Sequence, residues 1–175
     1  RYPAMRTEKK NESVKAQPRE VYNIFRDSAL RYMGYANEVG ESFRYQAPRL
    51  VVPTYVLAFG YCAADSFSAG YKKWNEDVPQ DSGSEISQAT YAAFDTLLWQ
   101  TFASVLIPGG TINIIVRASR FAMTRSAFST IPAGLKTWAP TFSGLGSIPF
   151  IVHPIDGFVD FVMDNTTRQW FKGYS

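Results

Sequence analysis

From Val21 onward, apolar residues recur at helical spacing: Val21, Ile24 and Phe25, Ala29, Tyr32 and Met33, Ala36, Val39 and Gly40, then Phe43. Arg26, Asp27, Arg31, Asn37, Glu38, Glu41 and Arg44 fall mostly between them, which predicts an amphipathic helix too charged to cross a bilayer. Two placements suit such a helix. It is either a surface helix of a soluble body or a helix lying in a membrane interface with its arginines at the headgroups. Residues Arg1 to Arg19 are polar and basic without apolar period, and predict an extended arm that is ordered by contact with something else.

Three later stretches favour lipid. Leu50 to Ala69 runs 20 residues with one charge, Asp65, and a helix of that length rises ~30 Å, the thickness of a hydrocarbon core. Pro53 falls in its first turn, where a missing N–H does least harm. Gly60, Ala64 and Ser68 form a small-residue row along which another helix can approach. Thr96 to Val116 has 21 uncharged residues but contains Pro108, Gly109 and Gly110, which predicts a helix to about Ile107, a break or kink at Pro-Gly-Gly, and a continuation through about Ala122. Thr137 to Ile155 is interrupted by Pro140, Pro149 and Pro154 and is the least regular of the three. After it, Asp156 is placed to cap a short amphipathic helix ending near Phe171. The polar Lys72 to Glu85 segment reads as a loop.

The expected fold is therefore all-α: an integral membrane protein with about three transmembrane helices, one broken at Pro-Gly-Gly, plus N- and C-terminal amphipathic helices. The expected organisation is an extended basic arm over 1–19 and a single helical membrane domain over 20–175, with spans near 50–69, 95–116 and 137–155. Composition fits this: 46% hydrophobic and 15% aromatic against 19% charged, where an average soluble domain has ~25% charged residues. The mean hydropathy of −0.16 leans the other way, because the polar residues crowd the start of the chain. The chain begins with Arg1, as a processed or trimmed protein is expected to, although Glu8 and Glu12 are unlike an acid-poor transit peptide.

The net charge of +3 matters mainly through its distribution. Lys and Arg number 10 before the first stretch, 2 in the loop after it, 4 after the second stretch and 2 after the third. With three crossings the N-terminal side holds the excess and faces the positive-inside compartment; a re-entrant Pro-Gly-Gly segment would instead return the tail to that side.

Candidate chemistry is sparse. A single cysteine, Cys62, excludes an internal disulfide framework and a cysteine-built zinc site, and no phosphate-loop, zinc-protease or nucleophile-elbow pattern is present. No catalytic, cofactor-binding or metal-binding residues are expected. His153, among apolar residues and beside Pro154, reads as fixing a turn between helices, with a proton-relay or haem-ligand role as the alternative. Asp65 and Asp95 read as solvated interfacial carboxylates near Lys72 and Lys73, or else as a partner-binding or ion-sensing pair. Glu38 and Glu41 read as a solvated face in preference to an acid–base pair, since neither pocket nor nucleophile accompanies them. Nucleic acid is not an expected partner, because the aromatics lie within the lipid-length stretches and are not interleaved with the basic residues.

Three blocks carry a family resemblance: RYMGYANEVGESFR (Arg31 to Arg44), DTLLWQTFASVLIPGGTIN (Asp95 to Asn113) and GSIPFIVHPIDGFVDFVMD (Gly146 to Asp164). From about Val21 to Arg168 the chain resembles the mitochondrial fission process protein 1 family. The resemblance implies a multi-pass protein of the mitochondrial inner membrane, without enzymatic activity, acting in division and membrane integrity by scaffolding. The motif positions are Gly34, Asn37, Glu38 and Gly40; Asp95, Trp99, Pro108, Gly109 and Asn113; Pro149, His153, Pro154, Ile155 and Asp156. They read as fold determinants and partner contacts. Expected partners are the bilayer, including phospholipids such as cardiolipin, and other inner-membrane proteins. The alternative is an accessory subunit built into a respiratory complex, supercomplex or ATP synthase.

Overall fold

A computed structural model describes residues 33–75, 84–125 and 128–171. The extended arm expected over 1–19, and the expected helix up to residue 32, lie outside the described residues. What is described is helical, with no strand: α1 (Ala36–Ser42), α2 (Val51–Trp74), α3 (Ser84–Trp99), a π-helical segment (Gln100–Leu106), α4 (Ile107–Met123), α5 (Ala133–Asp164) and α6 (Thr167–Phe171). Three continuous runs are long and apolar enough to cross a membrane: Pro48–Trp74, Gln88–Met123 and Ala133–Trp170. All three exceed the expected spans, chiefly because the helices continue past the apolar stretches.

α2 starts on a tight turn at Pro48–Leu50 and keeps Pro53 in its first turn. Lys72 and Lys73 in its last turn suit the negative end of the helix dipole, and the Asn75 side chain donates to the Tyr71 carbonyl at 3.0 Å to end it. α3 runs back along α2, with Gly70 against Ala89 and Ala93, and Asp65 level with Gln100. The expected small-residue row is not the contact. A Cβ on Gly60 would meet nothing, and Ala64 is exposed, while Ala58, Cys62, Asp65 and Ser66 face inward.

The interruption at Pro-Gly-Gly takes the form of π-helical winding before the proline instead of a break at it. Gln100–Leu106 absorb the misfit, so that Pro108 enters at the start of α4, where its missing N–H does no harm. In α5 the expected interruptions are absent: the helix runs 32 residues through Pro140, Pro149 and Pro154. Each proline leaves one carbonyl unbonded, whereas ending a helix in apolar surroundings would strand four N–H and four C=O groups. Continuing is the smaller loss. As a consequence Asp156 lies inside α5 and caps nothing, and His153 is an exposed residue of a helix, not the fixer of a turn.

The body is inverted relative to a soluble protein. Its core is small, with Ala58, Tyr61, Cys62 and Val105 in one cluster and Ala103, Val159 and Met163 in another. Large apolar side chains point outward along all three long runs, among them Val52 at 70% exposure, Ile114 at 69% and Phe150 at 78%. The fully buried positions include Asn37, Glu38, Ser42, Asp65 and Thr141 beside Val105, Ile112 and Val116.

α4 and α5 pack antiparallel at close range, because Gly144 leaves room for Ser42 and Val116. A Cβ there would stand 2.6 Å from Ser42 Oγ and 2.8 Å from Val116 Cγ2. Gly144→Val is expected to lower the thermal stability of the purified chain in detergent by about 1–3 kcal/mol, the usual range for overpacking. An unchanged midpoint in a melting assay would mean that the two helices do not meet at this position.

Candidate functional site

The residues singled out in the first two motif blocks, Asp95 excepted, meet where α1 is wedged against α2, α4 and α5. α1 enters through two glycines. Gly34 leaves space for the Tyr61 ring, and a Cβ on Gly40 would overlap the Thr54 side chain. From the other side Gly109 closes the gap, where a Cβ would stand 2.6 Å from the Tyr55 hydroxyl and 2.8 Å from Asn37 Nδ2. The Pro-Gly-Gly motif thus makes room for a neighbouring polar helix.

The face that α1 turns inward is its polar one. Glu38 and Asn37 are 0% exposed and Glu41 is 2% exposed, whereas Val39 is 41% exposed. The expectation of a solvated carboxylate face is therefore corrected: in an apolar environment the donors that satisfy a carboxylate are on the protein, so the polar face packs inward. Arg44 donates to both Glu41 oxygens, through Nε at 2.6 Å and Nη2 at 2.7 Å. Tyr55 donates its hydroxyl to Oε1 at 3.1 Å and Asn113 its Nδ2 to Oε2 at 2.8 Å. Burial raises the Glu41 carboxyl, but these donors and the Arg44 charge outweigh it and hold the group below its ordinary value. In turn Glu41 raises the Arg44 guanidinium.

Asn37 donates to the carbonyl of Val105, within the π-helical segment, at 3.0 Å. Glu38 has the opposite fate to Glu41. Neither of its oxygens has a hydrogen-bond partner among the described residues. Desolvation, and then the charge of Asp156, push its carboxyl up to about 8. Asp156 also lines a cavity of about 180 Å³, together with Tyr35, Tyr61, Gln100 and Ser104 among others. Gln100 bridges two neighbours there, donating to Asp65 Oδ2 at 2.6 Å and accepting from Ser104 Oγ at 2.6 Å. Asp65 is 1% exposed, so its reading as a solvated interfacial carboxylate is also corrected.

Asp95 lies apart from this junction. It is held by Arg168, whose Nε approaches Oδ1 at 3.0 Å, and the same guanidinium reaches Asp160 and Asp164 at 3.1 and 2.9 Å. Asp95 and Asp65 therefore form no pair. Trp99 lines the cavity and packs on the Ala103, Val159 and Met163 cluster, and Pro108 is buried beside Gly109. Of the third block, Asp156 reaches the junction, Ile155 packs on that same cluster, and Pro149, His153 and Pro154 are on the exposed side of α5. Among the described residues no group of three or more His, Cys, Asp or Glu is placed to hold a metal ion. Sequence reasoning missed Arg44, Tyr55 and Gln100 as parts of the site. The signal for Gln100 was a glutamine in the middle of an uncharged stretch.

The profile of the family described as "Mitochondrial 18 KDa protein" matches residues 16–91 and 73–163. The chain is 48% identical over 151 residues to mitochondrial fission process protein 1 of Caenorhabditis elegans, covering 86% of this chain and 89% of that protein. It is 40% identical over 150 residues to the protein of the same name in Homo sapiens, covering 85% and 88%. With the Danio rerio protein of that name the identity is 38% over 154 residues, covering 86% and 89%. No solved structure matches the chain.

Two outcomes test the junction. Glu38 holds its proton more tightly folded than at its ordinary value of 4.5, so its contribution to stability is complete below that pH and is lost as pH climbs through about 8. The melting midpoint in detergent should therefore fall across this window, and Glu38→Gln should flatten the decline; a variant that keeps the full slope contradicts the assignment. A double-mutant cycle of Glu41→Ala and Asn113→Ala should give a coupling of roughly 1.5–3 kcal/mol, as for a hydrogen bond to a charged group. Strict additivity would mean the bond does not form.

Proposed function

The chain belongs to the mitochondrial 18 KDa protein family, and from that premise we propose that it is a non-enzymatic, multi-pass protein of the mitochondrial inner membrane that acts in fission and membrane integrity by scaffolding. The printed names of its relatives support a role in mitochondrial fission. One observation carries the membrane part: many large apolar side chains of the three long helices face outward, while carboxylates and amides are buried among the core residues. In water this arrangement would leave a surface with no favourable solvent; in lipid it leaves none of the buried polar groups in the hydrocarbon.

Scaffolding suits what the junction does. Glu41 binds side chains from α2 and α4 as well as Arg44 of its own segment, so three segments are held as one shape, and no step in that arrangement consumes a substrate. The outer apolar faces, especially that of α5, are then free to meet lipid and other inner-membrane proteins.

The basic residues give a direction. α2 begins, α4 ends and α5 begins at one end of the bundle, and Arg44, Arg49, Arg117, Arg120, Arg125 and Lys136 collect there. By the positive-inside rule that end faces the matrix, and the Lys72 to Glu85 connection faces the intermembrane space.

In isolated mitochondria the chain should resist alkaline carbonate extraction. In mitoplasts, protease should cut the Lys72 to Glu85 connection and spare the segment before Leu50. Release by carbonate would refute embedding, and the reverse cleavage pattern would refute the orientation. Loss of the chain should lengthen mitochondria, and blue-native electrophoresis should find it away from the respiratory complexes; stoichiometric comigration with one of them would favour the accessory-subunit reading instead.

A further inference from the structure

At the basic end a cavity of about 300 Å³ opens between the last turn of α4, the first turns of α5 and the chain just after α1. It shares no lining residue with the cavity at the Glu38 junction. Two cations line it, Arg120 and Lys136, together with Tyr45, Gln46, Thr124 and Thr137. The Arg120 guanidinium is laid over the Tyr45 ring, 4.0 Å from its centre, which fixes the group without neutralising it. Lys136 donates to the Ser129 carbonyl, a neutral acceptor, at a long 3.3 Å. Among the described residues neither has a carboxylate partner; the acidic group nearest in sequence to this end, Glu41, is already taken by Arg44.

The neutral groups give the cavity a fixed wall. Gln46 donates to the Thr137 carbonyl at 2.6 Å and accepts from Thr141 Oγ1 at 2.7 Å, tying the α1–α2 connection to α5. Thr124 and Thr137 spend their hydroxyl protons on the carbonyls of Phe121 and Ala133. Their oxygens therefore offer no further proton to a ligand, and the charge that recognises an anion comes from the two cations. A built pocket with two uncompensated positive charges, at the level where apolar helices end, calls for a ligand with negative charge on one side and hydrocarbon on the other.

We infer that this cavity between α4 and α5 binds the headgroup of an anionic phospholipid of the basic-side leaflet, Arg120 and Lys136 taking its phosphate oxygens. Two cations in one cavity match a two-phosphate headgroup better than a single phosphodiester, so a diphosphatidylglycerol lipid is the expected occupant. The inference rests on the reading of the chain as membrane-embedded with this end among the headgroups.

The test uses the full chain purified in mild detergent, with native mass spectrometry counting bound tetraoleoyl cardiolipin, dioleoyl phosphatidylglycerol and dioleoyl phosphatidylcholine. Wild type should retain cardiolipin over the other two. Arg120→Gln with Lys136→Gln should weaken cardiolipin binding roughly 30-fold, at about a factor of five for each basic residue near a lipid surface. Arg49→Gln with Arg125→Gln removes the same charge outside the cavity lining and should leave binding within about threefold of wild type. Equal loss in both double variants would overturn the site in favour of diffuse charge. Displacement of cardiolipin by millimolar inorganic phosphate would overturn it in favour of a free-anion site, and preference for phosphatidylglycerol would overturn the two-phosphate assignment. The two readings separate cleanly: a chain released by carbonate has lost the embedding, whereas a chain that stays in the membrane but keeps no cardiolipin has lost only this pocket.

Discussion

A carboxylate removed from water needs donors on both oxygens, and Glu41 finds them on three segments at once. Arg44 supplies the charge from its own segment, Tyr55 reaches it from α2 and Asn113 from α4. The bond set fixes how deep α1 sits and which way it is turned, because rotating α1 outward would strand the carboxylate from two of its three partners. Everything packed on α1 inherits that placement: Gly40 against Thr54, Gly109 under Asn37 and Tyr55, and Gly144 against Ser42.

The same requirement explains the odd winding of the second long run. Asn37 ends at the Val105 carbonyl within the π-helical segment, and Gln100 at the head of that segment holds Asp65. Several of the polar groups facing the interior are thus paired across helices, whereas both Glu38 oxygens and Asn37 Oδ1 are not. Glu38 lies fully buried without a described donor and feels the charge of Asp156, and its raised carboxyl is the expected response to such surroundings.

Much of the fold was legible in the sequence, because length and lack of charge in lipid-sized stretches depend on simple solvation. The three long helices, their all-α class and the basic bias of one end follow from that alone. What misled was the rule imported from soluble proteins. Periodicity identified α1 as amphipathic but not which face turns inward, since that depends on whether water or lipid lies outside; hence Glu38 and Glu41 were expected in solvent. Prolines misled for a similar reason. Pro140, Pro149 and Pro154 would punctuate a soluble helix, whereas in apolar surroundings α5 loses less by continuing through them. The motif residues themselves were readable as important but not as neighbours: nothing in the spacing of Asn37, Gly109 and Asn113 announces that they share one junction, and Pro149 and His153, in equally distinctive strings, face outward.

Hydrogen–deuterium exchange of the full chain in detergent addresses the inward-turned polar helix most directly. Amides of Asn37 to Ser42 should exchange as slowly as those of the α4 interior near Ile112, since both lie under the same packing. Exchange of α1 within seconds while α4 remains protected would show a helix lying free of the bundle, and the junction described above would not exist.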